Sequence, residues 1–149
     1  MRALGIDYGD ARVGVAITDS LGITAQGLQT IHHNGNDKIV LKQLEQIIDE
    51  KQVNVIVIGM PYNMNGTQTE RAEKTKQFIH KLKCKFNKIQ IEEIDERLTT
   101  VAAHKTMNLL EINKHKKKDI VDTISAVYIL ETYMNKLKNS WFNCKNSIW

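Results

Sequence analysis

One proline and two cysteines in 149 residues already exclude several architectures. A single proline leaves no Pro-rich linker between domains. Cys84 and Cys144 supply neither a disulfide framework nor the four clustered ligands of a structural zinc site, which favours a reducing compartment. Aromatic residues make up only 6% of the chain, and the apolar runs are short, Val55-Ile56-Val57-Ile58 among the longest, so no segment is expected to span a bilayer. Met1-Arg2 leads directly into Ala-Leu-Gly-Ile-Asp, without the layered pattern of a signal peptide, and the expectation is a cytoplasmic protein without membrane contact. What remains is ordinary for one globular domain: 42% hydrophobic and 26% charged residues.

Charge is unevenly placed. Lys and Arg number 21 against 17 Asp and Glu, for a formal net charge of +4. Residues 1–113 hold 14 of each sign, whereas residues 114–149 hold 7 bases and 3 acids, so the excess lies in the last quarter. Between Arg71 and Lys88, seven bases face Glu73 alone. Clustered cations suit a polyanion, because neutralised phosphates release counterions; they equally suit a solubilising surface.

Hydrophobic periodicity predicts the elements. Arg2–Tyr8, Arg12–Thr18 and Gln26–His32 read as strands in a meander, with a turn at Gly9-Asp10. Asp37–Glu50 has the 3–4 spacing of an amphipathic helix, and Val53–Ile58 reads as a strand covered on both faces. The capping-box pattern Thr67-Gln68-Thr69-Glu70 predicts a helix to about Lys83. A strand over Lys88–Ile94 and helices over Thr99–Ile112 and Asp119–Leu137 complete the order β-β-β-α-β-α-β-α-α. The expected fold is α/β: a mixed five-stranded sheet, with a three-strand antiparallel meander and then β-α alternation, helices on both faces. One domain is expected over residues 1–138, followed by a polar, aromatic tail over 139–149 with no clear period.

Three acids occupy places that stability alone would not choose. Asp7 lies on an apolar strand and, by alternation, shares a face with Ala3 and Gly5. A carboxylate there needs a partner, a hydrogen-bond network or a metal, although an Asx-type turn with Gly9 is the simpler alternative. Glu96 follows the end of another strand, where ligand crevices of α/β sheets form, although it also fits a surface ion pair with Arg97. Asp122 sits inside a largely apolar helix, four residues before Ala126, where small Ser125 and Ala126 permit close approach to the sheet. Asp119, one turn earlier, is either an additional ligand or a carboxylate favoured by the helix N-terminus. If these carboxylates converge, their repulsion calls for cations. Hard divalent ions suit such oxygen donors, and two ions about 4 Å apart would clamp both oxygens of a phosphodiester displacement.

The stretches Leu4–Gly9 with Arg12–Ala16, Ile58–Gly66, Asp95–Thr100 and Val121–Ala126 together resemble the YqgF family of pre-16S rRNA nucleases, also described as Holliday junction resolvase-like. The resemblance spans residues 4–130 and implies a ribonuclease H-like fold. It implies catalytic roles for Asp7, Glu96 and Asp122, hydrolysis of a phosphodiester with Mg²⁺ or Mn²⁺, and maturation of the 5′ end of 16S rRNA. Structured RNA is then the expected partner. Two alternatives stay open: a resolvase of four-way DNA, which needs a dimer rather than a monomer, and a nucleic-acid-binding module that does not cut.

Further residues are candidate nucleic-acid contacts. The forks of Arg12 and Arg97 suit phosphate oxygens, and pairing with neighbouring acids is the alternative for both. Asn65 and Thr67 precede a helix whose free N–H groups suit a phosphate. Lys114, Lys116, Lys117 and Lys118 form a basic loop before the Asp122 helix, suited to holding a backbone without reading bases.

Overall fold

Strand pairing follows the alternation of the sequence. A computed structural model describes residues 2–62, 65–67, 69–98 and 117–146. The strands are β1 (Ala3–Tyr8), β2 (Arg12–Thr18), β3 (Ala25–His32), β4 (Val55–Met60) and β5 (Gln90–Asp95). The α-helices are α1 (Asp37–Lys51), α2 (Glu70–Lys85) and α3 (Lys117–Asn146), with a short 3₁₀ turn over Glu96–Leu98. The helix expected over Thr99–Ile112, and with it Lys114 and Lys116, lies outside the described residues. The side chains of Lys117 and Lys118 lie outside them too.

One sheet is built in the order β3-β2-β1-β4-β5. β1 pairs antiparallel with β2 and parallel with β4, β2 pairs antiparallel with β3, and β4 pairs parallel with β5. This is the expected meander followed by β-α alternation. Alternating side chains feed two cores. Leu4, Ile6, Val13, Val15, Ile56 and Ile58 pack beneath α1 and α2, with Leu44, Phe78 and Leu82 supplied by the helices. On the other face Ala3, Ala16, Val55 and Val57 meet Ala126, Ile129, Leu130 and Tyr133 of α3. Full burial of each large side chain contributes about 1.5–3 kcal/mol. The residues facing α3 on the central strands are small, so this helix lies close to the sheet.

Two element ends differ from the sequence reading. α2 starts at Glu70 with Thr69, not Thr67, as its N-cap: the Thr69 hydroxyl accepts from Ala72 N at 2.9 Å and donates to the Pro61 carbonyl at 2.9 Å. Thr67 is instead tied into a turn, donating to Asn65 Oδ1 through its N–H at 3.1 Å and its hydroxyl at 2.7 Å. Replacing Thr69 by Ala is expected to lower stability by about 1 kcal/mol, read as a fall in the urea midpoint at unchanged slope. The last helix also runs past Leu137 to Asn146, a 30-residue element about 45 Å long. Among the described residues no helix is long and apolar enough to cross a membrane.

Candidate active site

Asp7 emerges on the face of β1 that α3 covers, with Ala3 and Gly5, as alternation requires. Its residue is only 4% exposed. Across the sheet, Asp7 pairs with Gly14 of β2. A Cβ added at Gly14 would collide with the Asp122 carbonyl and stand 2.9 Å from the Asp122 Cβ. α3 therefore presses Asp122 onto β2 at the position that pairs with Asp7.

The other side of Asp7 is built the same way. The β1–β4 register Ile6↔Ile58, continued by one residue, sets Asp7 beside Gly59. A Cβ at Gly59 would lie 2.6 Å from Glu96 Oε1 and 2.6 Å from Ile129 Cδ1. The Glu96 carboxylate thus lies over β4 in a space left by a missing side chain, and its residue is 8% exposed. Asp122, Asp7 and Glu96 line up over β2, β1 and β4 on one face. Among the described residues, no three His, Cys, Asp or Glu side chains are grouped closely enough to hold one metal ion together.

Cations border this line. Arg12 Nε donates to Asp122 Oδ2 at 2.8 Å. Asp95 and Glu96 diverge, and Asp95 is held by Arg97 through Nη2 at 2.6 Å, Nε at 3.0 Å and the backbone N–H at 2.9 Å. Those hydrogen bonds hold the Asp95 carboxyl below the usual carboxylate range and raise Arg97 further. The Arg97 guanidinium lies 5.5 Å over the Tyr62 ring, and a Cβ at Gly66 would come within 3.2 Å of its Nη1. The Asn65–Thr67 turn therefore packs beside Arg97. Asp119 stands apart: half-exposed, it meets His32 Nε2 at 3.1 Å, and its carbonyl accepts from Thr30, both over β3.

Sequence reasoning missed the glycines and the support beneath Asp7. An isolated glycine within a strand signals close approach of another chain segment, and Gly14 and Gly59 both do so here. His33 is buried, and its Nε2 lies 2.9 Å from the Gly9 carbonyl while Nδ1 accepts the Gly35 N–H, which fixes the ring and the β1–β2 turn. Tyr8 stacks on Phe78 with centroids 4.3 Å apart and donates to Asp37 at 2.7 Å. Burial and then that bond push the Tyr8 hydroxyl above its ordinary value.

Asp37 itself gives a pH expectation. Burial pushes its carboxyl up, but the hydrogen bonds from Lys81 at 2.8 Å and from Tyr8 outweigh it and leave the group lowered. A lowered native value means stabilisation that is complete above about pH 5 and lost as pH falls through the native value. Asp37→Asn should thus lower stability by about 1–2 kcal/mol at pH 7. That gap should close in acid, as checked by urea unfolding of both proteins from pH 7 to pH 3.

Comparison with known proteins follows the same lines. The family model described as RuvX, Holliday junction resolvase, matches residues 1–136. A protein of Ruminiclostridium cellulolyticum is 53% identical over 137 residues, which cover 92% of this chain and 96% of the relative. One of Acetivibrio thermocellus is 48% identical over 135 residues, covering 91% and 96%. Both bear the provisional name pre-16S rRNA nuclease. Among solved structures, Thermus thermophilus RuvC in complex with a Holliday junction substrate superposes with a TM-score of 0.54 at 11% identity, covering 92% of this chain and 96% of that one. The yeast mitochondrial Holliday junction resolvase gives 0.57 at 11% identity, covering 97% and 83%. At such identity the likeness concerns the fold alone, and that fold is ribonuclease H-like.

Proposed function

The chain belongs to the RuvX family and is a nuclease, and on that premise we propose that it hydrolyses phosphodiesters at the face bearing Asp7, Glu96 and Asp122, with pre-16S rRNA as its substrate. The observation that carries the reading is the row of acids over β2, β1 and β4, each flanking position opened by a glycine. Their oxygens are the donors hard divalent cations take, so the residues fit Mg²⁺ or Mn²⁺. Asp7, Glu96 and Asp122 would hold the ions. Asp119, engaged with His32 over β3, is not needed in that set. When bound, such ions supply positive charge at the scissile phosphate and lower the pKa of water.

The chain's own residues do the rest. Asp7, beneath α3, sits in a poorly hydrated position where its charge acts strongly on whatever cation it meets. Arg12 steadies the Asp122 carboxylate and presents its remaining guanidinium N–H groups toward a phosphate. Arg97, oriented by Asp95 and Tyr62, and the Asn65–Thr67 turn offer a second phosphate contact beside Glu96. Lys114, Lys116, Lys117 and Lys118, at and before the start of α3, would grip the nucleic-acid backbone without reading its sequence. Residues 1–138 would form the nuclease domain, acting in the cytoplasm.

RNA is favoured over junction DNA by the names of the relatives, which cover nearly the whole chain. The test compares pre-16S rRNA, duplex DNA and a four-way junction side by side with Mg²⁺ or Mn²⁺, and with a chelator. Cleavage of the RNA at least tenfold faster than of the junction, lost with the chelator, is expected. Faster cutting of the junction by a dimer would establish the resolvase instead, and binding without cutting would leave a recognition module.

A further inference from the structure

The end of α3 has an aromatic surface that the cleavage face does not use. Trp141 and Phe142 are 62% and 61% exposed, and Leu137 is exposed beside them. Leu137 and Trp141 are four residues apart, as are Lys138 and Phe142, so each pair is adjacent along the helix surface. Leu137, Lys138, Trp141 and Phe142 line one shallow recess of about 510 Å³. After Glu131 the chain contains no acid, while Lys136, Lys138 and Lys145 add three bases. Trp141 follows Asp122 by 19 residues, so the surface lies about 28 Å from the acids along α3.

We propose that this surface is a second nucleic-acid site, where unpaired bases stack on Trp141 and Phe142 while Lys138 meets the backbone. The proposal rests on the nuclease reading and adds to it a place where single-stranded substrate is held away from the cut. Exposed aromatic faces accept any base, and bases of charge bordering them are the pattern of sequence-tolerant single-strand grips. A second copy of the chain fits less well, because two lysine-rich ends would repel. An anionic membrane also fits less well, because among the described residues the last turns of α3 expose only Leu137, Trp141 and Phe142 as large apolar side chains, and a stable anchor needs a longer stripe. The adjoining recess against Ile23 contains Glu131 and is less suited to phosphate.

Binding is best measured on Asp7→Asn protein, so that no substrate is cut, with a labelled unstructured oligoribonucleotide followed by anisotropy. Trp141→Ala and Phe142→Ala together are expected to weaken binding about tenfold or more, while Lys138→Ala weakens it less and flattens the salt dependence. In chains retaining Asp7, the same aromatic substitutions should leave the cleavage rate of a short substrate that fits only the acid row unchanged. Oligonucleotide binding that is unaffected by both substitutions would overturn the second site while leaving the nuclease reading intact. Loss of vesicle binding or of a dimer in the double variant, with oligonucleotide affinity unchanged, would also overturn it in favour of that occupant. A chain that neither binds nor cuts any nucleic acid would overturn the nuclease reading itself.

Discussion

Asp7→Asn is expected to reduce cleavage by roughly a thousandfold or more, equivalent to about 4 kcal/mol of transition-state stabilisation, with the fold retained. Asparagine has the same shape but lacks the charge that a divalent cation requires. The residue is nearly buried between Gly14 and Gly59, so the substitution introduces no new contact. Folding should be retained, because asparagine fills the same volume at this buried position. Two measurements separate chemistry from folding: the single-turnover cleavage rate, and the urea midpoint. A third is independent of activity. Mg²⁺ or Mn²⁺ should raise the melting temperature of the parent but not of the variant, since only a ligand that binds the native state stabilises it. Asp119→Asn serves as the comparison, with nearly full activity expected because that carboxylate pairs with His32 over β3. An Asp7→Asn protein that cleaves like the parent would remove the proposed site altogether.

The sequence already showed the sheet, and the reason is local. β1, β2 and β4 each alternate or run continuously apolar because one or both faces are buried, and such patterns survive without knowledge of the partner strand. Element ends were harder to read. Thr67 and Thr69 offer the same capping hydroxyl, and only the Asx turn at Asn65 decides between them. The continuation of α3 through Asn146 was hidden because residues 135–144 face solvent and so show no apolar period.

The acids of the candidate site were visible as charges in apolar surroundings. Their alignment was not. The Arg12–Asp122 ion pair joins residues 110 apart, and the placing of Glu96 depends on the absent side chain of Gly59. A glycine in this role contributes only an absence, which a single sequence cannot distinguish from flexibility. The same holds for His33, whose two ring nitrogens are both engaged, but only after β3 returns to the Gly9 turn.

Gly14→Ala is expected to lower stability by about 3 kcal/mol, a large share of the 5–15 kcal/mol typical of a folded domain. The added methyl would meet the backbone carbonyl and Cβ of Asp122, and backbone cannot swing aside as a side chain can. Nor can α3 retreat as a whole, because Gly5 faces the Ala126 carbonyl and Leu130 one turn further along. The helix must tilt, separating Asp122 from Asp7 and opening the core formed by Ala126, Ile129 and Leu130. Stability and cleavage should therefore fall together, and amide exchange should accelerate first in α3. Gly59→Ala makes the contrast, since its methyl meets mainly the Glu96 carboxylate and the tip of Ile129. Both are side-chain ends that can move, so cleavage should fall much more than stability. Urea midpoints and cleavage rates of the two variants, measured together, decide the matter. If Gly14→Ala were as stable and as active as the parent, α3 could not rest against β2 at Asp122, and the row of three acids would be broken at that end.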